Sequence, residues 1–225
     1  MEKDGYKYYI FQPIHPKDNS SSYTWIDEET IREGFYYPFL KEGMHVVDIG
    51  AGYGSYTLPA LQKGCRVTVI TPKVPPPNNE QIKLKMNIDL NYFHCPIIDM
   101  AVYSANGYFN PNTKDFVKFE HGLSDKKDKE EYVRCSSIDE ILKNPMKYDP
   151  IDFIKLDVEG AEFEAIKGAK QTITRNKPIM LIENHLFYDD KIEDNIIKTV
   201  MGWNLGYSYK VLPYAQISHT LFTIY

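Results

Sequence analysis

Three short stretches hold the side chains best suited to chemistry. In the first, Asp48-Ile-Gly50-Ala-Gly52-Tyr-Gly54, a carboxylate precedes three alternating glycines. Glycines let a backbone turn tightly and approach a ligand without Cβ atoms in the way, and a following helix aims its free N–H groups into the same space. The second, Asp157-Val-Glu159-Gly160, ends an apolar run with two carboxylates two residues apart. The third, Glu183-Asn184-His185, sets a carboxylate and an imidazole after another apolar run. Such groups act as general bases when a hydroxyl must lose its proton. Asp157 and His185 are the leading candidates, ahead of Glu183 and Glu159. Asp157, Glu159 and His185 also offer oxygen and nitrogen ligands for a divalent metal, although no spacing in the sequence requires one. Plainer roles compete: Glu159 and Glu162 fall in a first helical turn, where acids suit the dipole, and His185 fits an ordinary loop.

The elements that must position these residues are strand-sized apolar runs. Five organise the centre: 45–49, 65–70, 92–98, 151–156 and 178–182. Their β-branched, nearly continuous character suits strands covered on both faces. Helical segments are expected at about 54–63, 79–91, 161–175 and 189–200, the third with Phe163, Ile166, Ala169 and Ile173 on one stripe. Alternating strand and helix implies a doubly wound, mainly parallel sheet. Every run ends in polar or glycine-rich sequence (Asp48 to Gly54, Thr71, Asp99, Asp157 to Gly160, Glu183 to His185), so these groups would gather in a crevice at the carboxyl edge. An insert from about 100 to 150 carries short strands around Tyr108, Phe116 and Tyr132 and a charged loop, 125–130. Segments 207–212 and 217–224 are expected as a terminal hairpin.

At 225 residues, with 43% hydrophobic and 25% charged side chains, the chain suits one α/β domain (41–225) preceded by an aromatic lead-in or lid (1–40). Ten of its 31 aromatics fall in that lead-in, which reads as a substrate lid, a core layer or a homodimer surface. Within it Tyr23, Trp25, Tyr36 and Tyr37 are the first places to look for acceptor choice. A formal charge of −5 argues against a broad phosphate-binding surface, and hence against nucleic acid as partner. No apolar run is long enough for a membrane helix, and the start of the chain has no signal-peptide core. The three widely spaced cysteines read as reduced thiols, consistent with a cytoplasmic protein.

A dinucleotide fingerprint would need glycine at position 55 and an acid after the second strand; the chain has Ser55 and Thr71. The sequence instead resembles the FkbM-type methyltransferases. The resemblance rests on Asp48-Ile-Gly-Ala-Gly52, on Asn87-Ile-Asp-Leu-Asn91, Ala101-Val-Tyr-Ser104 and Ser137-Ile-Asp139-Glu-Ile-Leu142, on the block from Ile151 to Ala169, and on Pro178-Ile-Met-Leu-Ile-Glu183. It implies a Rossmann-like class I fold, a seven-stranded mainly parallel sheet with helices on both faces and a C-terminal antiparallel hairpin. It further implies S-adenosyl-L-methionine as cofactor and O-methylation of a small-molecule or sugar-like hydroxyl. Gly50, Gly52 and Gly54 would then face the methionine part, Asp48 would set the turn or hold the amino group, and Asp99 and Ala101 would lie by the adenine. Asp157 would face the transferring methyl. One position departs from the pattern: the family usually has Glu where Thr71 stands, gripping the ribose hydroxyls. Another acid such as Glu80 would have to compensate. Failing that, the chain would be a non-catalytic binding or scaffold protein on the same fold.

Overall fold

Strands of two to seven residues, the central ones aliphatic and buried on both faces, pair here into one sheet. The computed structural model describes residues 2–3, 6–7, 31–74, 80–110, 113, 116–118, 132–148, 150–214 and 217–224. Its main sheet contains β1 (His45–Ile49), β2 (Arg66–Ile70), β3 (Ile97–Ile98), β4 (Phe153–Leu156), β5 (Ile179–His185), β6 (Ser208–Tyr214) and β7 (Ile217–Thr223). Their spatial order is β6-β7-β5-β4-β1-β2-β3. All neighbours from β5 to β3 run parallel, and β7 pairs antiparallel with β5 and β6. The doubly wound sheet and the terminal hairpin are thus both as expected.

The period of two sorts each strand's side chains between two cores. Val47, Ile49, Ile154, Leu156 and Ile182 pack with α3 (Glu162–Lys167), α4 (Lys170–Asn176) and α5 (Ile192–Gly202). Val46, Phe153, Leu181 and Leu221 face the other way, onto Leu58 of α1 (Thr57–Gln62) and Leu84 and Ile88 of α2 (Glu80–Leu90). Tyr36 joins this second core with no exposed surface: its ring meets Tyr56 and Phe153 edge-on and its hydroxyl donates to the Tyr56 carbonyl at 2.9 Å. Tyr36 is therefore a core residue, which removes it as a substrate reader. Tyr23, Trp25 and the charged loop 125–130 lie outside the described residues.

Four expectations change in detail. The run 92–98 yields only the two-residue edge strand β3, because Tyr92 turns the chain at φ 58° and Pro96 has no N–H for the ladder. The helix expected over 161–175 is two, α3 and α4, broken at Gly168. A Cβ there would lie 2.5 Å from the Tyr103 carbonyl oxygen, so the glycine lets the insert pack close. Strand β5 continues through Glu183, Asn184 and His185, since β7 pairs with all three. These residues are thus held in the ladder and not in a loop. The insert folds as a separate small sheet, Ala101–Val102, Val133–Ser136, Gly107–Phe109 and Phe116–Lys118 in spatial order.

Candidate functional site

Strand order reverses between β1 and β4, because the chain builds outward from β1 to β3 and then returns on β4's side. A crevice must open beyond the carboxyl ends of those two strands. It is a cavity of about 350 Å³ lined by Gly50, Ala51, Gly52, Tyr53, Ser55 and Tyr56 from one wall and Asp157, Val158 and Glu159 from another. Thr71, Pro72, Val74 and Glu80 close one end, and Met100, Ala101, Phe109 and Val133 border it from the insert.

The floor is made by backbone. Gly50 donates to Ile70 O at 2.9 Å, and Asp157 N donates to Ile49 O at 3.0 Å, so the ends of β1 and β4 lie side by side. A Cβ on Gly50 would sit 1.6 Å from the Asp157 carbonyl oxygen, and its φ is +79°; no other residue fits. Gly52 has open space around it and lines the cavity. Gly54 lies off the cavity: a Cβ there would press on Leu84 at 2.9 Å, so it serves the packing of α2 on this turn. Asp48 is buried beneath the turn, where the Thr57 hydroxyl donates to its Oδ2 at 2.5 Å, and burial raises its pKa. Asp99 is exposed and accepts from Lys73 N at 2.6 Å, pinning the Thr71 loop, while its neighbours Met100 and Ala101 border the cavity. Thr71 is buried at the end of β2, and its carbonyl accepts from Gln81 of α2 at 2.8 Å.

Asp157, Glu159, Glu183 and His185 come together beside this floor. His185, 2% exposed, has its Nδ1 on Glu162 Oε1 at 2.8 Å and its Nε2 3.3 Å from Glu159, 3.7 Å from Glu183 and 3.9 Å from Asp157. Glu162 is fully buried and also accepts from the amides of Val158 and Gly160 at 3.2 and 3.0 Å, which shapes the turn after β4. In that turn Glu159 and Gly160 both have positive φ. Glu162 is thus a structural residue that also fixes the imidazole's orientation.

Lys155 is the residue the motifs did not single out. It is wholly buried on β4, with Nζ 3.5 Å from Asp157, 3.6 Å from Glu183 and 4.6 Å from the Tyr56 ring centre. Among the described residues its Nζ makes no hydrogen bond. A charged residue two places before Asp157 in an apolar strand must share its face, and that was the available signal. Burial works to lower its pKa, but Asp157 and Glu183 hold it above the ordinary value. Burial and Glu183 push the Asp157 carboxyl well up, against the pull of Lys155 and His185. Glu183 is held low: burial opposes this, but Lys155 and the hydrogen bond with His219 outweigh it. For His185 burial works downward, and the hydrogen bond and charge of Glu162, with Asp157 and Glu159, lift it to about 9.

Sheet order, glycine turn and strand-end carboxylates together define a Rossmann-like methyltransferase domain. Residues 48–209 match the model of the methyltransferase FkbM domain, and the chain belongs to that family. No curated protein sequence matches it significantly. Among solved structures it is similar to the methyltransferase FkbM from Methylobacillus flagellatus KT, at 20% identity and TM-score 0.60 over 84% of this chain and 46% of that one. It is also similar to a T. thermophilus 16S rRNA N2 G1207 methyltransferase solved with AdoMet and guanosine, at 13% identity and TM-score 0.51 over 100% of this chain and 49% of the other. These likenesses establish the fold, and the chain spans about half the length of either protein. Among the described residues no helix is long and apolar enough to cross a membrane.

Proposed function

We propose that the protein is an S-adenosyl-L-methionine-dependent O-methyltransferase acting on a small-molecule or sugar-like hydroxyl. The observation that carries this is the meeting of Gly50 and Gly52 with the Asp157 carboxylate across one cavity at the strand switch point. Gly50 and Gly52 would hold the methionine part of the cofactor, and Met100 and Ala101 its adenine. Glu80, on the cavity rim at the start of α2, would take over from the absent acid at Thr71 and hold the ribose. The cofactor would supply an electrophilic methyl group, and Asp157 would take the acceptor hydroxyl's proton as its oxygen displaces the neutral thioether. Positioning dominates such a displacement.

Asp157 is preferred over His185 as base on geometric grounds: Asp157 lines the cavity where the acceptor would lie, whereas His185 sits behind it. Lys155 offsets part of the negative charge from outside the cavity lining.

Thermal melting with the demethylated cofactor tests the reading. Ligand at a hundred times its dissociation constant adds about 2.7 kcal/mol; Gly52→Val should abolish the shift. A folded chain that shows no shift at millimolar ligand would refute it. The second reading, a binding or scaffold protein, is favoured by Thr71 alone. It requires that Thr71→Glu create cofactor binding the native chain lacks; micromolar binding by the native chain excludes it.

A further inference from the structure

We infer that Asp157, Glu159 and His185 form a binding site for a divalent metal ion at the edge of the cavity. One donor atom from each lies within 4.8 Å of the others. Donors sharing an ion at 2.0–2.2 Å lie about 3.0 Å apart at right angles and about 4.2 Å apart across the ion. The imidazole Nε2 is already 3.3 Å from Glu159 and 3.9 Å from Asp157. The Glu159 side chain is 66% exposed, at the solvent edge of the three.

The imidazole gives independent support. It is buried, and its Nε2 is aimed at the carboxylates of Glu159, Glu183 and Asp157 at 3.3, 3.7 and 3.9 Å. Its Nδ1 sits on the buried carboxylate of Glu162. That arrangement, one ring nitrogen on a carboxylate and the other presented to the site, is how metal-binding histidines are oriented and made more basic. The charges agree. Asp157, Glu159, Glu162 and Glu183 crowd around His185, and the Lys155 ammonium lies beside Asp157 and Glu183. Asp157 divides its two oxygens, Oδ2 toward Lys155 and Oδ1 toward His185, so the lysine does not occupy the proposed ligand atom.

Two carboxylates and one imidazole suit Mn²⁺, or Zn²⁺ with a contracted shell. Three protein ligands leave about three octahedral positions for water or an acceptor's oxygens. Because Asp157 and Glu159 both line the cavity, an ion there would meet the hydroxyl of an acceptor, ideally one with a second oxygen beside it. A metal-bound hydroxyl is more acidic, so less would be asked of Asp157 as a base. That consequence rests on the methyl-transfer reading; the binding itself does not.

Loss of the free Mn²⁺ paramagnetic resonance signal on titration into the intact chain reads the site directly. One saturable site per chain is expected. Asp157→Asn and Glu159→Gln should each weaken it tenfold or more, and Glu162→Gln about tenfold through the ring's orientation. Glu159→Gln is at an exposed position and keeps the fold, so it decides the matter even if another variant unfolds. No saturable loss of signal at millimolar Mn²⁺, or saturation unchanged by Glu159→Gln and Asp157→Asn, would overturn the assignment. S-adenosylmethionine takes no part in this titration. A chain that binds Mn²⁺ but not the cofactor product would refute the methyl-transfer reading and leave the metal site standing.

Discussion

Replacing Lys155 by Met isolates the charge that holds the strand-end carboxylates together. Met fills the same space and keeps contact with the Tyr56 ring, so the change is mainly electrostatic. At the observed 3.5 and 3.6 Å each ion pair is worth about 4–5 kcal/mol in an effective dielectric near 20. Desolvation of the ammonium offsets much of that, and Asp157 and Glu183 keep 26% and 18% exposure, which lets water screen them. Breaking a fully buried pair costs about 3–5 kcal/mol; with this screening the expected loss is about 2–4 kcal/mol, or roughly 5–15 °C in melting temperature. The sign of the pH dependence follows. Without Lys155 the two carboxylates repel, so the native state of the variant binds a proton more readily than the unfolded chain. Its deficit against wild type is then largest at pH 7.5 and shrinks toward pH 5. Urea denaturation at both pH values measures it. Adding Glu183→Gln should restore at least half of the loss. A deficit below about 0.5 kcal/mol, one equal at both pH values, or no recovery in the double variant would refute this account of Lys155.

Three further outcomes are expected. Gly50→Ala should cost at least about 3 kcal/mol by chemical denaturation or prevent folding, since its methyl group would overlap the Asp157 carbonyl oxygen at 1.6 Å and the residue sits at φ +79°. Glu80→Gln should weaken binding of the cofactor product by about tenfold in calorimetry, the worth of one charge-assisted hydrogen bond, while leaving the melting point of the ligand-free chain within a degree or two. His45 is held neutral by burial, with its ring nitrogens on Tyr148 O at 2.6 Å and the Thr68 hydroxyl at 2.9 Å, and its pKa is lowered. Its contribution to stability is complete above about pH 6.5 and is lost as the pH falls through the lowered value. Melting curves from pH 7.5 to 5 should show this slope, and His45→Asn should flatten it.

The parts of the site carried by short contiguous sequence were legible in advance. Gly50 and Gly52 announce a backbone that must come close to something, and Asp157 ends an apolar run at the edge where such strands open. Gly54 and Asp99 both read in sequence as facing the cofactor, yet Gly54 makes room for Leu84 and Asp99 ties down Lys73. Nothing in sequence spacing separates a glycine kept for a ligand from one kept for a neighbouring helix. Tyr36 shows the same limit: an aromatic in a lead-in can face a substrate or a core, and here its ring packs edge-on against Phe153. Lys155 was readable as a charge on the inner face of a strand, but only with Glu183's position known does it become the shared ion-pair partner of two acids.

The sequence by itself determined the alternation of strands and helices, the glycine turn and the family, because these depend on local periodicity and on motifs within one stretch of chain. Tertiary structure alone decided that Glu183 and His185 belong to a strand, that Glu162 turns the imidazole toward Asp157 and Glu159, and that Glu80 reaches the rim near Thr71. Those facts rest on how strands pair and helices pack, which spacing within one stretch of chain does not give. The energy of a buried charge is set by whatever the fold brings within about 4 Å of it, and that neighbour is seldom the next residue in the chain.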